Sequence, residues 1–383
     1  MSVLQRLVYR IPPGVRRKLK ALPGVDRLRA VIAGSPTQSG PPSGSKRPVV
    51  YLPTWVRWDS MRQRPQYLLQ AFARHGHPVY FVDHREPGPR VADGVRIVTS
   101  VEDVPASDVI LYVHFAPMRH LFDRFTRPVI VYDILDDLSI YDADEVGLPE
   151  ERKVRFHHPI VMEHADAVIV SNEVLAETHR SERDDLIHIP NGVDAERFAT
   201  PVSPPSDLVP DGRPIVGYHG MISHWFDFDL LEGVARRRPD LRFVLVGPHD
   251  PRAQDGVDRL EAVPNIELMG ERPSESMPSY VQSFDVGTVW FEVNDLTRAV
   301  TPLKVYEYLA AGIPVVSTPL PACEAEPTVR TAADVESFSR ALDASLADDD
   351  TEARRLTAAR NDWRVLIEPL LADLESKGLV RVP

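Results

Sequence analysis

The chain is poor in the residues that several chemistries require. One of its 383 residues is cysteine, Cys323, so an internal disulfide is impossible and a secreted disulfide scaffold is excluded. No apolar run approaches the ~20 residues needed to span a bilayer. The N-terminus shows neither a signal-type apolar core nor a small-residue cleavage site, so a cytoplasmic protein is the expectation. Lysine is scarce, supplying six of the 44 basic residues. A net charge of −12 argues against a general nucleic-acid binder. No Ser-His-Asp, Cys-His or Cys-cluster arrangement stands at a diagnostic spacing, which leaves hydrolase and zinc chemistry unsupported. What is present is ordinary globular material, 43% hydrophobic and 26% charged, long enough for two or three domains.

Charge is concentrated at one end. Residues 1–46 hold nine basic side chains and a single acid, Asp26. Leu4, Leu7 and Val8, then Val15, Leu19, Leu22 and Val25, recur there at helical spacing. Such a segment, residues 1–34 in particular, suits an anionic membrane surface, each basic group contributing about 1 kcal/mol. The alternative is a plain N-terminal extension. SPTQSGPPSGS (35–45) reads as a flexible linker.

Beyond the linker, short β-branched runs alternate with helical stretches. VVYLP (49–53), VYFVD (79–83), VILYVHF (109–115), PVIVYDIL (128–135), AVIVSN (167–172) and LIHIPN (186–191) are strand candidates, with a helix from Arg64 to His75. This spacing predicts βαβ units on a parallel sheet. PVSPPSDLVPDGRP (201–214), with five prolines, reads as an interdomain linker. The alternation then resumes through PIVGYHG, RFVLVGP, NIELMG, DVGTVWF and IPVVST, with helices at 227–238, 334–346 and 351–375. The expected domains are therefore 1–46, 47–200, 215–350 and a C-terminal helix and tail, 351–383, that packs back on the first domain. Ligands of such sheets bind at the carboxyl ends of strands, here in the cleft between halves.

The most informative run is TPLKVYEYLAAGIPVVST (301–318). It reads as a helix with Pro302 at its second position and a closing Gly312, as capping favours. A helix start exposes N–H groups and partial positive charge, which suits a diphosphate. Lys304 adds a full charge, and Glu307 lies on the same face, where it could accept hydrogen bonds from both hydroxyls of a ribose. The alternative is a capped helix with a surface Lys–Glu pair.

This run resembles the donor-site helix of retaining GT-B glycosyltransferases of the family 4 type, the group 1 glycosyl transferases. IPNGVD (189–194) resembles their interdomain crossing. GYHGMISHWFDFDLL (217–231) with PDLRFVLVGP (239–248) resembles the opening of their nucleotide domain. WDSMRQRPQYLLQAFARHGHPVYFVD (58–83) looks like the N-terminal signature of a subgroup linked to cell-surface polysaccharide, teichuronic-acid-type enzymes included. The resemblance implies an α/β GT-B fold, two Rossmann-like parallel-sheet domains facing across a cleft, carrying the basic N-terminal extension.

It further implies a nucleotide-sugar donor, UDP-linked first, and a glycan or lipid-linked acceptor, with no metal or other cofactor. Glu307 would bind the donor ribose, and backbone near Thr301, Pro302 (itself without an N–H), Leu303 and Lys304 would face the diphosphate. Gly220 would let backbone approach phosphate. Two departures stand out. Ala299 occupies the place of the usual first Glu, and the usual Arg and Lys near the first strand of the second domain are absent, leaving Arg298 and Lys304 as substitutes. In the first domain, Asp133, Asp136 and Asp137 directly follow a strand and are candidates to orient an acceptor hydroxyl or the donor sugar. A solvated loop with a helix cap is the alternative. Arg64 is a candidate phosphate contact or a structural Arg paired to carbonyls. Two other readings of the whole chain are a silent nucleotide-sugar-binding partner and a nucleotide-sugar epimerase.

Overall fold

The computed structural model describes residues 46–380 except Met61, Ala143 and Ala299. The basic segment and linker of residues 1–45, with the membrane-surface reading placed on them, and the substitution at Ala299 lie outside the described residues.

The first domain is an eight-stranded sheet. Its strands are β1 (Val49–Tyr51), β2 (Val79–Val82), β3 (Arg90–Ala92), β4 (Val95–Val98), β5 (Ile110–Val113), β6 (Val129–Ile134), β7 (Ala167–Val170) and β8 (Leu186–His188). The spatial order is β3-β4-β2-β1-β5-β6-β7-β8, parallel throughout except where β3 returns against β4. That hairpin closes through Asp93 and Gly94, both at positive φ (51° and 79°), the backbone a two-residue turn between twisted strands requires. The central strands are buried along their whole length, β6 at all six positions, because helices cover both faces. Helices α1 (Arg64–Arg74), α2 (Val154–His164) and α3 (Glu173–His179) supply part of that cover.

A short helix, α4 (Ala195–Ala199), opens the second domain. Its sheet comprises β9 (Ile215–His219), β10 (Arg242–Val246), β11 (Ile266–Gly270), β12 (Val286–Val289), β13 (Val315–Ser317) and β14 (Val329–Thr331), ordered β11-β10-β9-β12-β13-β14 and wholly parallel. Helices α5 (Phe228–Arg237), α6 (Gln254–Glu261), α7 (Met277–Val281), α8 (Asp295–Arg298), α9 (Leu303–Ala311), α10 (Pro321–Glu324) and α11 (Val335–Leu346) surround it. The order reverses between β1 and β5 in one sheet and between β9 and β12 in the other, so each sheet has its switch point at strand ends beside the interdomain crevice.

Three expectations need correction. The proline-rich stretch 201–214 is not the crossing: Leu208 is buried in the second core, and Val209 O accepts from Arg242 Nη1 at 2.6 Å. The chain crosses between Ile189, buried in the first core, and Val193, buried in the second. Helix α9 begins at Leu303 with Pro302 as its cap, because a residue before proline is held out of the α region and Thr301 cannot start the helix. The single helix expected over 351–375 is three: α12 (Thr351–Arg360), α13 (Trp363–Leu366) and α14 (Glu368–Ser376).

The break has a cause. Asn361 O accepts from Val193 N (3.0 Å), Val193 O accepts from Trp363 N (3.1 Å), and the Asp362 carboxylate accepts from Ala195 N (3.1 Å). The outgoing and returning crossings are thus bonded side by side. Gly192 is needed here, since a Cβ would sit 2.4 Å from Asn361 O. Before the crossing α12 packs on the second domain through Ala358; after it Trp363, Ile367, Leu370 and Leu374 enter the first core.

Candidate functional site

The crevice between the sheets encloses a cavity of about 480 Å³. On the second-domain wall stand the start of α9, Thr301 to Lys304, with Glu307 one turn deeper, and the turn after β9, His219 and Gly220. The turn is glycine-dependent. Gly220 has φ 124°, and a Cβ on it would meet Lys304 Cε at 3.0 Å. Gly247, at φ 148°, lies so close that its Cβ would be 2.1 Å from Gly220 O. Two loops at the strand ends therefore nest with no side chain between them, leaving backbone and Lys304 to face the cavity.

Lys304 Nζ lies 4.6 Å from the ring centres of both Tyr218 and Phe291, and 3.4 Å from the Tyr218 hydroxyl. Among the described residues no carboxylate pairs with it at ion-pair distance. Aromatic faces hold the cation without neutralising it. Burial pushes its pKa down to about 8, against the attraction of Glu307. The surface Lys–Glu pair is not formed, because Glu307 is engaged elsewhere.

Glu307, 6% exposed, accepts from the Tyr67 hydroxyl at 3.0 Å on Oε1, while His219 Nε2 lies 2.9 Å from Oε2. Burial raises the carboxyl's pKa, but His219, Arg197 and Tyr67 outweigh it, and the group stays below its usual value. An ionised carboxylate has about four lone-pair sites. With one partner on each oxygen, acceptor capacity remains on both for a pair of adjacent hydroxyls. Tyr67 belongs to α1, so the carboxylate links the two domains.

Arg64 and Asp133, both expected at the ligand, are first of all partners of each other. Arg64 Nε reaches both Asp133 oxygens (2.8 and 3.1 Å), and Nη1 donates to Ile189 O at 2.7 Å. Asp133 is fully buried and also accepts from the Tyr112 hydroxyl. It is the counter-ion of a buried arginine rather than a free carboxylate in the crevice. Arg64 does line the cavity, and its Nη2 is buried without a partner. Asp136 lines the cavity too, its pKa pushed up to about 6 by burial and by Asp133. Asp137 caps the turn Leu138–Tyr141, accepting from Ser139 N at 2.7 Å, which is the capping alternative. Arg298 is exposed on α8 and does not line the cavity.

Two lining residues escaped the sequence reading. Tyr67 sits inside the N-terminal signature but looks like an ordinary core aromatic of α1. Arg197 stands three residues beyond the crossing motif, and the usable signal was Asp194, which caps α4 and so presents Arg197 from a helix at the crevice. A group able to hold a metal ion among the described residues is His158, His179 and Glu182. None of the three lines the cavity, and Glu182 already bridges the imidazoles, 2.9 Å from His179 Nδ1 and 3.4 Å from His158 Nε2.

Residues 213–348 match the family described as glycosyl transferases group 1. A putative teichuronic acid biosynthesis glycosyltransferase of Bacillus subtilis, TuaH, is 29% identical over 167 residues, a match spanning 42% of each chain. Among solved structures, sucrose-phosphate synthase of Thermosynechococcus elongatus is 15% identical with a TM-score of 0.59, covering 87% of this chain and 97% of that one. Anabaena HepE in complex with UDP and glucose is 14% identical with a TM-score of 0.61, covering 86% and 100%. The fold is therefore GT-B, and the resemblance to group 1 glycosyl transferases holds in the second domain.

Proposed function

We propose that this chain, whose second domain is similar throughout to the group 1 glycosyl transferases, moves a sugar from a nucleotide-diphosphate donor to a glycan or lipid-linked acceptor of cell-surface polysaccharide, with retention. The observation that carries the reading is the convergence on one cavity wall of a helix N-terminus, an unneutralised Lys304 and an ionised Glu307 with free acceptor capacity. UDP is the favoured nucleotide, supported by the neighbour that holds UDP and glucose. The polysaccharide role is supported by the relative named for teichuronic acid.

In this reading the nucleotide's ribose hydroxyls donate to Glu307 and its diphosphate lies along Thr301 to Lys304, against Gly220. As the glycosidic bond breaks, the leaving diphosphate gains charge, and Lys304 with the positive end of α9 stabilises it. The acceptor hydroxyl attacks from the same face of the sugar, and its proton passes to the leaving phosphate. No step draws on a metal or another cofactor. Movement of the domains about the paired crossings would exclude water from the cavity.

Glu307→Gln is the direct test. Removing the charge while keeping the shape should weaken UDP-sugar binding at least tenfold, about 1.4 kcal/mol, with the circular dichroism spectrum unchanged. Unchanged affinity would sink the assignment. In the wild type, slow UDP release without acceptor supports a transferase. Epimerised donor would indicate an epimerase, and tight binding without turnover would indicate a silent partner.

A further inference from the structure

Three arginines from two segments line the cavity: Arg62 before α1 and Arg64 at the start of α1 on the first-domain side, and Arg197 on α4, where the second domain begins. Each is held by protein contacts. Arg62 Nη2 bonds Asp93 at 2.5 Å, Arg64 bonds Asp133 and Ile189 O, and Arg197 Nη2 bonds Ser274 O. Each also keeps one buried nitrogen with no partner, Nε of Arg62, Nη2 of Arg64 and Nη1 of Arg197. Buried polar atoms are nearly always satisfied, so three unpartnered donors lining one cavity are free to bond what occupies it. The Arg64 residue is only 3% exposed, and its charge is balanced by Asp133. Arg62 has Asp93 at 2.5 Å and Glu275 at 4.0 Å, while Arg197 has no carboxylate at ion-pair distance among the described residues.

We infer that Arg62, Arg64 and Arg197 form a second anion site, distinct from the donor's diphosphate site, that holds a phosphate group on the acceptor. The inference rests on the transferase reading for the word acceptor, though not for the site. Donor diphosphate is already provided for by α9, Lys304 and the Gly220 turn. Guanidinium N–H groups suit phosphate oxygens, and donors from three separate guanidiniums match the three terminal oxygens of a phosphate monoester better than the two of a carboxylate. Two sources share this chemistry, a prenyl phosphate carrier and a phosphorylated sugar.

The test is calorimetric titration of the full chain, free and saturated with UDP, with a hexose 1-phosphate, a short soluble prenyl phosphate and a hexuronate. The expected result is phosphate-ester binding that persists within threefold when UDP is bound. Whichever ester binds more tightly identifies the source. Arg62→Ala should weaken ester binding at least tenfold more than it weakens UDP binding, whereas Arg197→Ala should weaken both, because Arg197 also helps to keep Glu307 ionised. Arg197→Lys, which keeps the charge and loses the fork, should fall between. Thermal unfolding of each variant checks that the fold persists, and Arg64 is left unaltered because it holds Asp133.

Displacement of the ester by UDP would overturn the inference, because the arginines would then belong to the donor. Variants that bind ester like the wild type, or tenfold tighter binding of hexuronate, would overturn it as well. Ester binding without any UDP binding would instead refute the donor site and leave this one standing.

Discussion

Lys304 sets the pH behaviour of the donor site. With its pKa pushed down to about 8, it is charged at pH 7 and largely neutral at pH 9. Glu307, held below its usual value, stays ionised across that interval and contributes no slope. UDP affinity should therefore fall by up to about tenfold between pH 7 and 9. Calorimetry at a series of pH values checks this, and Lys304→Met should flatten the profile. The Arg64–Asp133 pair makes a different prediction. Asp133→Asn leaves a guanidinium buried without its counter-charge, which costs about 3–5 kcal/mol and should appear as a lower urea midpoint. The sequence reading put Asp133 just after a strand, whereas it lies inside β6, and its partner stands 69 positions earlier with no local pattern to link them. Lys304 and Glu307 were legible because helical spacing alone puts them on one face. That Tyr67 and His219, rather than Lys304, would hold Glu307 depends on packing between domains.

Elements with strong local chemistry were readable, and those decided by contact were not. Strands β1, β2, β5, β6 and β7 follow their β-branched runs, each trimmed by a residue or two at its ends. The β3–β4 hairpin carries an Asp-Gly signal at residues 93–94 that the reading passed over. The break at Asn361 has no glycine or proline to mark it; it exists because the crossing strands bond there. The turn between β9 and α5 gives the test at this scale. Gly220→Ala places a side chain at φ 124° and drives its Cβ into Lys304 Cε. Such a backbone costs of order 1–3 kcal/mol, and the displaced ammonium should lower UDP affinity at least tenfold. A titration beside a thermal melt separates the two effects.

At the scale of the molecule, the first domain is built from two distant stretches, 46–189 and 363–380, with the second domain inserted between them. Trp363, Ile367, Leu370 and Leu374 are all buried to 1% or less in the first core. Losing even one buried leucine from a core costs about 2–5 kcal/mol, and a whole domain is stable by only about 5–15 kcal/mol. A chain terminated after Asp362 should therefore fail to fold its first domain, giving insoluble protein or loss of cooperative melting, although every crevice residue named above is still encoded. The same arrangement has a temporal consequence during synthesis. The ribosome releases the opening sheet first, yet the side chains that close it emerge after the inserted domain is already complete, so the half begun earliest is the half finished last.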